Sequence, residues 1–146
     1  MKIYIASSWK NQHAVEMLTK LLRDRDHEVA SFVEKADKTE DRVKNGKLDF
    51  DDWVWSQMGE EKFDYDTHNA MTADLVIYVS PAGTDSWAEV GAAWARNVPI
   101  IGLHAKSEQA GLMRRMVQWL NSVSELEMVL DKVEGDGGIA WLKARS

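Results

Sequence analysis

The sequence has no cysteine, only two prolines, and no apolar run longer than a β-strand. Without cysteine the protein forms no disulfide, has no thiol nucleophile and holds no cysteine-ligated zinc. Its short apolar runs predict no membrane-spanning helix, and its first ten residues turn polar too early for a signal peptide. It has no basic block and a net charge of −6. This argues against duplex nucleic acid as a partner, since binding phosphates needs a cationic surface. We therefore expect a cytoplasmic protein.

The chain of 146 residues is 45% apolar and 29% charged, a composition typical of one soluble globular domain, which we expect to span residues 1–146. Strand patterns alternate with helical periodicity along it. The predicted strands are 2–6, 27–33, 74–80, 98–103 and 116–120. The predicted helices are 12–25, 51–59, 61–73, 86–97, 108–115 and 121–133, with a polar excursion over 34–52 and a short tail over 139–146. This alternation predicts an α/β fold in which helices flank about five parallel strands.

In such a sheet the ligand binds beyond the carboxyl ends of the strands, which selects three loops. The candidate residues in them are Ser7, Ser8 and Trp9 after the first strand, Gly83, Thr84, Asp85 and Ser86 after the third, and His104 and Lys106 after the fourth. The second of these loops opens a helix, whose free N–H groups suit an anion. It is neither a Walker motif nor a GxGxxG motif, and the first loop lacks glycine, so we expect no dinucleotide cofactor.

Glu89 follows the second loop and has two interpretations. Ser86 and Glu89 have the spacing of a capping box, in which the two side chains satisfy backbone donors at a helix start. A second such pair, Ser124 and Glu127, opens the last predicted helix. At the edge of the sheet, however, a carboxylate is also placed to attack an anomeric carbon or to stabilise a cation formed there.

Two further carboxylates, Asp64 and Asp66, precede the third strand. They form either an ordinary solvated helix face or a carboxylic acid that faces a nucleobase. The four histidines show no metal-ligand spacing, and we expect neither a metal nor a cofactor. Trp9, Trp53 and Trp55 fit either a pocket wall or core packing. Trp87 and Trp94 lie seven residues apart on one helix, which fits packing or a subunit contact.

Taken in order, several segments make the chain recognisable. They are KIYIASSW, the HEV of the second strand, ADLVIYVSPAGTDSWAEVGAAWARNVPIIGL and SELEMVL. Together they resemble the nucleoside 2-deoxyribosyltransferase-like superfamily over nearly the whole chain, most strongly between residues 66 and 103. The closest likeness is to a branch of small bacterial and phage proteins of uncertain substrate. The resemblance implies a flavodoxin/Rossmann-like three-layer sandwich and a homodimer or larger homo-oligomer.

The resemblance also implies an activity and the residues that carry it out. Enzymes of this family cleave or transfer at the N-glycosidic bond of nucleosides or nucleoside 5′-monophosphates through a glutamate nucleophile, which Glu89 in EVGAA matches. A family carboxylate eight positions before the central strand corresponds to Asp66, which would protonate or hydrogen-bond the leaving base. Tyr4, Ser7 and Ser8 match the region that shapes the sugar site.

The chain also departs from the family pattern. Transferases carry an acidic residue where this chain has Gly83, and the monophosphate hydrolases carry a serine there, whereas this chain has Thr84 and Ser86 nearby. The tail IAWLKARS does not match the one that completes a neighbouring site in the transferases. Two alternatives therefore stay open, a non-catalytic nucleotide-binding or sensing module and an NAD-type glycohydrolase.

Overall fold

The computed structural model describes residues 1–35, 45–47, 49–109, 111–135 and 137–144. Most of the predicted polar excursion lies outside these residues. The strands are β1 (Lys2–Ser7), β2 (Glu28–Ser31), β3 (Leu75–Val79), β4 (Ile100–Leu103) and β5 (Gln118–Leu120). The α-helices of the described part are α1 (Gln12–Arg23), α2 (Phe50–Val54), α3 (Gln57–Thr72), α4 (Thr84–Ala95), α5 (Val123–Glu134) and α6 (Gly138–Lys143). Short 3-10 helices cover Trp9–Asn11, Phe32–Lys35 and Leu112–Met116.

The strands form one parallel sheet in the order β2-β1-β3-β4-β5, which confirms the predicted fold class. The chain moves outward from β1 to β2 on one side, then returns to β3 and continues outward on the other. The order therefore reverses between β1 and β3. A crevice opens at such a reversal beyond the carboxyl ends of the two strands.

Helices cover both faces of the sheet, and each face has its own core. On one face α1, α5 and α6 bury Leu22, Leu130 and Leu142 against alternate residues of β1 and β3 such as Ile5 and Ile77. On the other face the small side chains of α3 and α4 pack on the remaining residues of the same strands. Since β3 is covered from both sides, all five of its residues are buried, as its continuous apolar run predicted.

Several predicted boundaries were wrong for local reasons. The helix predicted over 51–59 ends at Val54, because Ser56 caps a new helix by accepting a hydrogen bond from the Gly59 N–H at 3.2 Å. A β-carbon on Gly59 would lie 2.5 Å from the Trp53 carbonyl oxygen, so the close approach of α2 and α3 requires glycine there. The segment predicted as helix 108–115 has a 3-10 helix only over Leu112–Met116, which shortens the following strand to β5.

The start of α5 and the C-terminal segment also differ from the prediction. The capping pair of α5 is Ser122 with Glu125, not Ser124 with Glu127: Ser122 Oγ accepts the Glu125 N–H, and Glu125 accepts the Asn121 N–H. The predicted tail contains α6, which packs on the core through Leu142, a side chain only 1% exposed.

No helix among the described residues has both the length and the apolar character needed to cross a membrane.

Candidate active site

Two buried carboxyl groups face each other beneath the crevice at the reversal of the sheet. Glu89 projects from α4 and is 9% exposed, and Asp66 projects from the neighbouring helix α3 with its side chain 13% exposed. Tyr4, on β1 and completely buried, brings its hydroxyl against both carboxyl groups. The structure thus brings together the two carboxylates that the sequence proposed.

Three atoms of this cluster have no well-formed hydrogen bond within the described part of the chain. They are Tyr4 Oη, Asp66 Oδ1 and Glu89 Oε2, and all three are buried. The Tyr4 hydroxyl lies beside both carboxyl groups and lowers the pKa of each, although its single proton can serve only one of them at a time. Unsatisfied buried polar atoms are costly in a folded protein and commonly mark a functional site. Such a cluster has unused capacity for the polar groups of a ligand.

The electrostatics of the pair follow from burial and mutual repulsion. Burial, with a smaller contribution from the charge of Asp66, raises the pKa of Glu89 to about 8. Burial also raises the pKa of Asp66 above its ordinary value, and the nearby ammonium of Lys62 opposes that rise. Burial and the two carboxylates raise the pKa of the Tyr4 phenol as well. Adjacent carboxyl groups in a dry site titrate as a coupled pair, which favours a state in which the two carry one proton between them.

The loop after β1 supports the crevice chiefly through internal hydrogen bonds. Ser7 Oγ donates to the Val79 carbonyl oxygen at 2.7 Å, and Ser8 Oγ accepts the Lys10 N–H. Trp9 packs edge-on against Phe32 with ring centroids 5.0 Å apart. Backbone and side chains of this loop line the edge of the sheet, but the Ser7 hydroxyl is already engaged in joining β1 to β3.

Asn11 is a residue whose role the sequence did not reveal. Its amide donates to Ser7 Oγ, the Val79 carbonyl and the Pro81 carbonyl at 3.0, 3.2 and 2.8 Å. Asn11 directly precedes α1, yet its side chain makes no cap hydrogen bond there. Asn11 instead ties the ends of β1 and β3 together at the crevice.

The capping-box interpretation of Ser86 and Glu89 is wrong. Helix α4 begins at Thr84 with Gly83 as its N-cap, two residues earlier than predicted, so Ser86 lies inside its first turn. Ser86 Oγ donates to the Ser7 carbonyl oxygen at 2.7 Å and thereby fastens α4 to β1. Gly83, Thr84 and Asp85 are exposed at the mouth of the crevice, and no side chain caps this helix start.

The other candidates lie away from the pair. Asp64 is exposed, Trp55 is 87% exposed, and Trp53 is partly buried in α2. Trp87 packs inward on Tyr78, whereas Trp94 is 58% exposed. These observations within one chain do not test the predicted homo-oligomer, which stays a prediction.

A third buried carboxylate, that of Glu108, forms a cluster with aromatic residues at Trp87 of α4. Glu108 accepts hydrogen bonds from the Tyr78 hydroxyl at 2.8 Å and from Trp87 Nε1 at 3.3 Å. His104 and Arg114 contact the ring of Trp119 beside this cluster, and Lys106 is exposed. Each carboxylate oxygen of Glu108 thus accepts a hydrogen bond from a neighbouring side chain, which is typical of a carboxylate with a structural role. The described residues include no group of three or more ionisable ligands arranged for a metal ion.

Comparisons with known proteins agree with this architecture. No protein-family model and no curated protein matches the sequence. The fold is similar to that of a 2-deoxyribosyltransferase from the psychrotolerant bacterium Bacillus psychrosaccharolyticus, with a TM-score of 0.64 and 20% sequence identity over 87% of this chain and 90% of the other. At this identity the likeness concerns the fold: the chain is built on the same three-layer α/β architecture as that 2-deoxyribosyltransferase.

Proposed function

We propose that the protein cleaves or transfers at the N-glycosidic bond of a nucleoside or nucleoside 5′-monophosphate. The observation that carries this proposal is the pair of buried carboxyl groups, Glu89 and Asp66, at the crevice of the sheet. The shared fold with a 2-deoxyribosyltransferase that serves in nucleoside synthesis supports it. Ser7, Ser8, Trp9, Gly83, Thr84, Asp85 and Ser86 form the proposed walls of the substrate site.

The pair supplies the two groups that the reaction needs. The Glu89 carboxylate attacks C1′ of the sugar, the bond from C1′ to the base nitrogen breaks, and a proton passes to the leaving base from Asp66. Water or a second base then attacks C1′ and gives its proton back to the pair, so the sugar leaves with retained configuration. In the free protein the higher pKa of Glu89 keeps the shared proton there. The Tyr4 hydroxyl beside both groups offers a route for it to Asp66.

Activity should follow the number of protons on the pair. At low pH both groups are protonated and no nucleophile exists. Above about pH 8 the last proton is lost and the leaving base has no acid. We therefore expect a bell-shaped pH profile whose alkaline limb lies near 8.

The test is release of free base from a panel of nucleosides, deoxynucleosides, their 5′-monophosphates and NAD, followed by chromatography. Glu89→Ala is run in parallel, with Glu108→Gln as the control for changing a buried carboxylate outside the site. Adding a second base distinguishes transfer, which yields a new nucleoside, from hydrolysis. We expect release by the wild type and the control, and a loss of several orders of magnitude in Glu89→Ala. If no substrate releases base but one raises the melting temperature, the protein is a binding module instead.

A further inference from the structure

Lys62 forms a buried ion pair directly behind the carboxylate pair. Its Nζ donates to Asp66 Oδ2 at 3.0 Å and to the Phe32 carbonyl oxygen at 3.1 Å. The side chains of Lys62 and Asp66 are only 12% and 13% exposed. The ammonium therefore links α3 to the 3-10 helix that follows β2, and it occupies Asp66 Oδ2 while Oδ1 stays unpartnered.

The charges that act on the pair come from three elements. Asp66 and Glu89 repel each other across the gap between α3 and α4, and Asp85 adds negative charge from the first turn of α4. The Tyr4 hydroxyl on β1 and the Lys62 ammonium on α3 act in the opposite sense on both carboxyl groups. Lys62 is thus a full positive charge that offsets the accumulation of carboxylates at this point.

We propose that Lys62 is a positioning residue for the reaction: its ammonium fixes one oxygen of Asp66 against the backbone of Phe32, and its charge lets Asp66 and Glu89 share a single proton. This role rests on the proposed function of the pair. With Lys62 present, one carboxyl group ionises beside the ammonium while the other keeps the proton. Without it, the pKa of both carboxyl groups rises, so a smaller fraction of the protein carries the carboxylate that attacks the sugar.

Removing the charge of Lys62 should displace the pH profile of activity and not merely lower the rate. Removing an opposite charge at this distance raises a carboxyl pKa by about one pH unit or more. In Lys62→Met both limbs of the profile should therefore move to higher pH, with a loss of about tenfold at the acid limb. Lys62→Arg keeps the charge, so its limbs should stay near those of the wild type even if its kcat is lower.

The experiment measures kcat and kcat/KM against pH for base release, together with a ¹³C NMR titration of the Asp66 and Glu89 carboxyl carbons. Lys62→Gln accompanies Lys62→Met, because glutamine keeps a donor at this position without charge and carries the test if the methionine variant does not fold. Lys20→Met is the matched control: Lys20 pairs with Asp24 at the same helical spacing, but the two side chains are 76% and 62% exposed on α1.

We expect the uncharged variants to move both the activity limbs and the NMR titrations to higher pH, and Lys20→Met to move neither. A uniform loss of activity with unmoved limbs and unmoved titrations would overturn the role of Lys62 while the proposed function stands. If the wild type releases no base but the titrations move as expected, the proposed function fails and the electrostatic role of Lys62 is supported.

Discussion

Replacing Glu89 with glutamine should remove activity and yet stabilise the protein at alkaline pH. The unfolded chain ionises this carboxyl near 4.5, whereas burial beside Asp66 raises its pKa to about 8 in the folded protein. Between these two values the folded state binds about one proton more than the unfolded state. The free energy of unfolding therefore falls by about 1.4 kcal/mol for each pH unit across this range.

The sign and size of the effect follow from that difference. The stabilising contribution is fully present below pH 4.5 and is lost as the pH rises through about 8. By pH 9 the free energy of unfolding of the wild type has fallen by up to about 5 kcal/mol, which is the cost of an ionised Glu89 next to Asp66. Glutamine stays neutral, is similar in size and offers its amide to the unpartnered Asp66 Oδ1. The variant should thus nearly match the wild type at pH 5 and exceed it at pH 9.

The assay is urea unfolding of both proteins at pH 5, 7 and 9, with melting temperatures as a second measurement. A gain of about 1 kcal/mol corresponds to about 3 °C at this chain length, so a rise of 10 °C or more at pH 9 is within reach. Glu108→Gln is the control, because it weakens an acceptor of two hydrogen bonds and should lose stability at pH 9. A Glu89→Gln variant that is no more stable than the wild type at pH 9 would refute the reasoning.

Two further substitutions give separate tests, one beside the carboxylate pair and one in the packing of β4 against β5. Asp85→Asn removes a negative charge that raises the pKa of both carboxyl groups, so both limbs of the activity profile should move to lower pH by less than about one pH unit; limbs that move upward would contradict this. Gly102→Ala places a β-carbon 2.5 Å from Val117 Cγ1 and 2.8 Å from the Trp119 ring. Overpacking of this kind should cost about 1–3 kcal/mol in urea unfolding, and an unchanged midpoint would show that β5 shifts freely.

The architecture could be predicted because each strand and most helices carry their own signal. The apolar run of β3 indicates a strand covered on both faces, and Val15, Leu18 and Leu22 recur at the spacing of a helix that packs on one side. The boundaries were less predictable, since they depend on which of several polar residues caps a helix. Ser122 and Ser124 offer the same chemistry, and only the packing of α5 selects the first.

The site could be predicted in part. Glu89 could be singled out as a candidate because it follows a buried strand at the edge of the sheet, where the order of elements places ligands. Its alternative interpretation as a cap failed because α4 begins at Thr84 and its N-cap is Gly83, a residue without a capping side chain. Tyr4 was placed in the sugar region, but its contact with both carboxyl groups depends on the pairing of β1 with β3 and on the angle of two helices. Sequence spacing alone contains neither quantity.

Lys62 could not be found from the sequence, because a lysine four residues before an aspartate is ordinarily a solvent-exposed pair. Three polar residues of α3 point inward while an aromatic ring points outward: the side chains of Lys62 and Asp66 are 12% and 13% exposed, Asn69 is 8% exposed, and Phe63 is 65% exposed. Burying these polar groups in place of an aromatic ring costs stability. A helix buries such a charged pair most readily where the pair serves a ligand, since functional sites are where local rules of stability are broken. The buried pair of Lys62 and Asp66 therefore points to the same crevice as the unpartnered oxygens of Asp66 and Glu89.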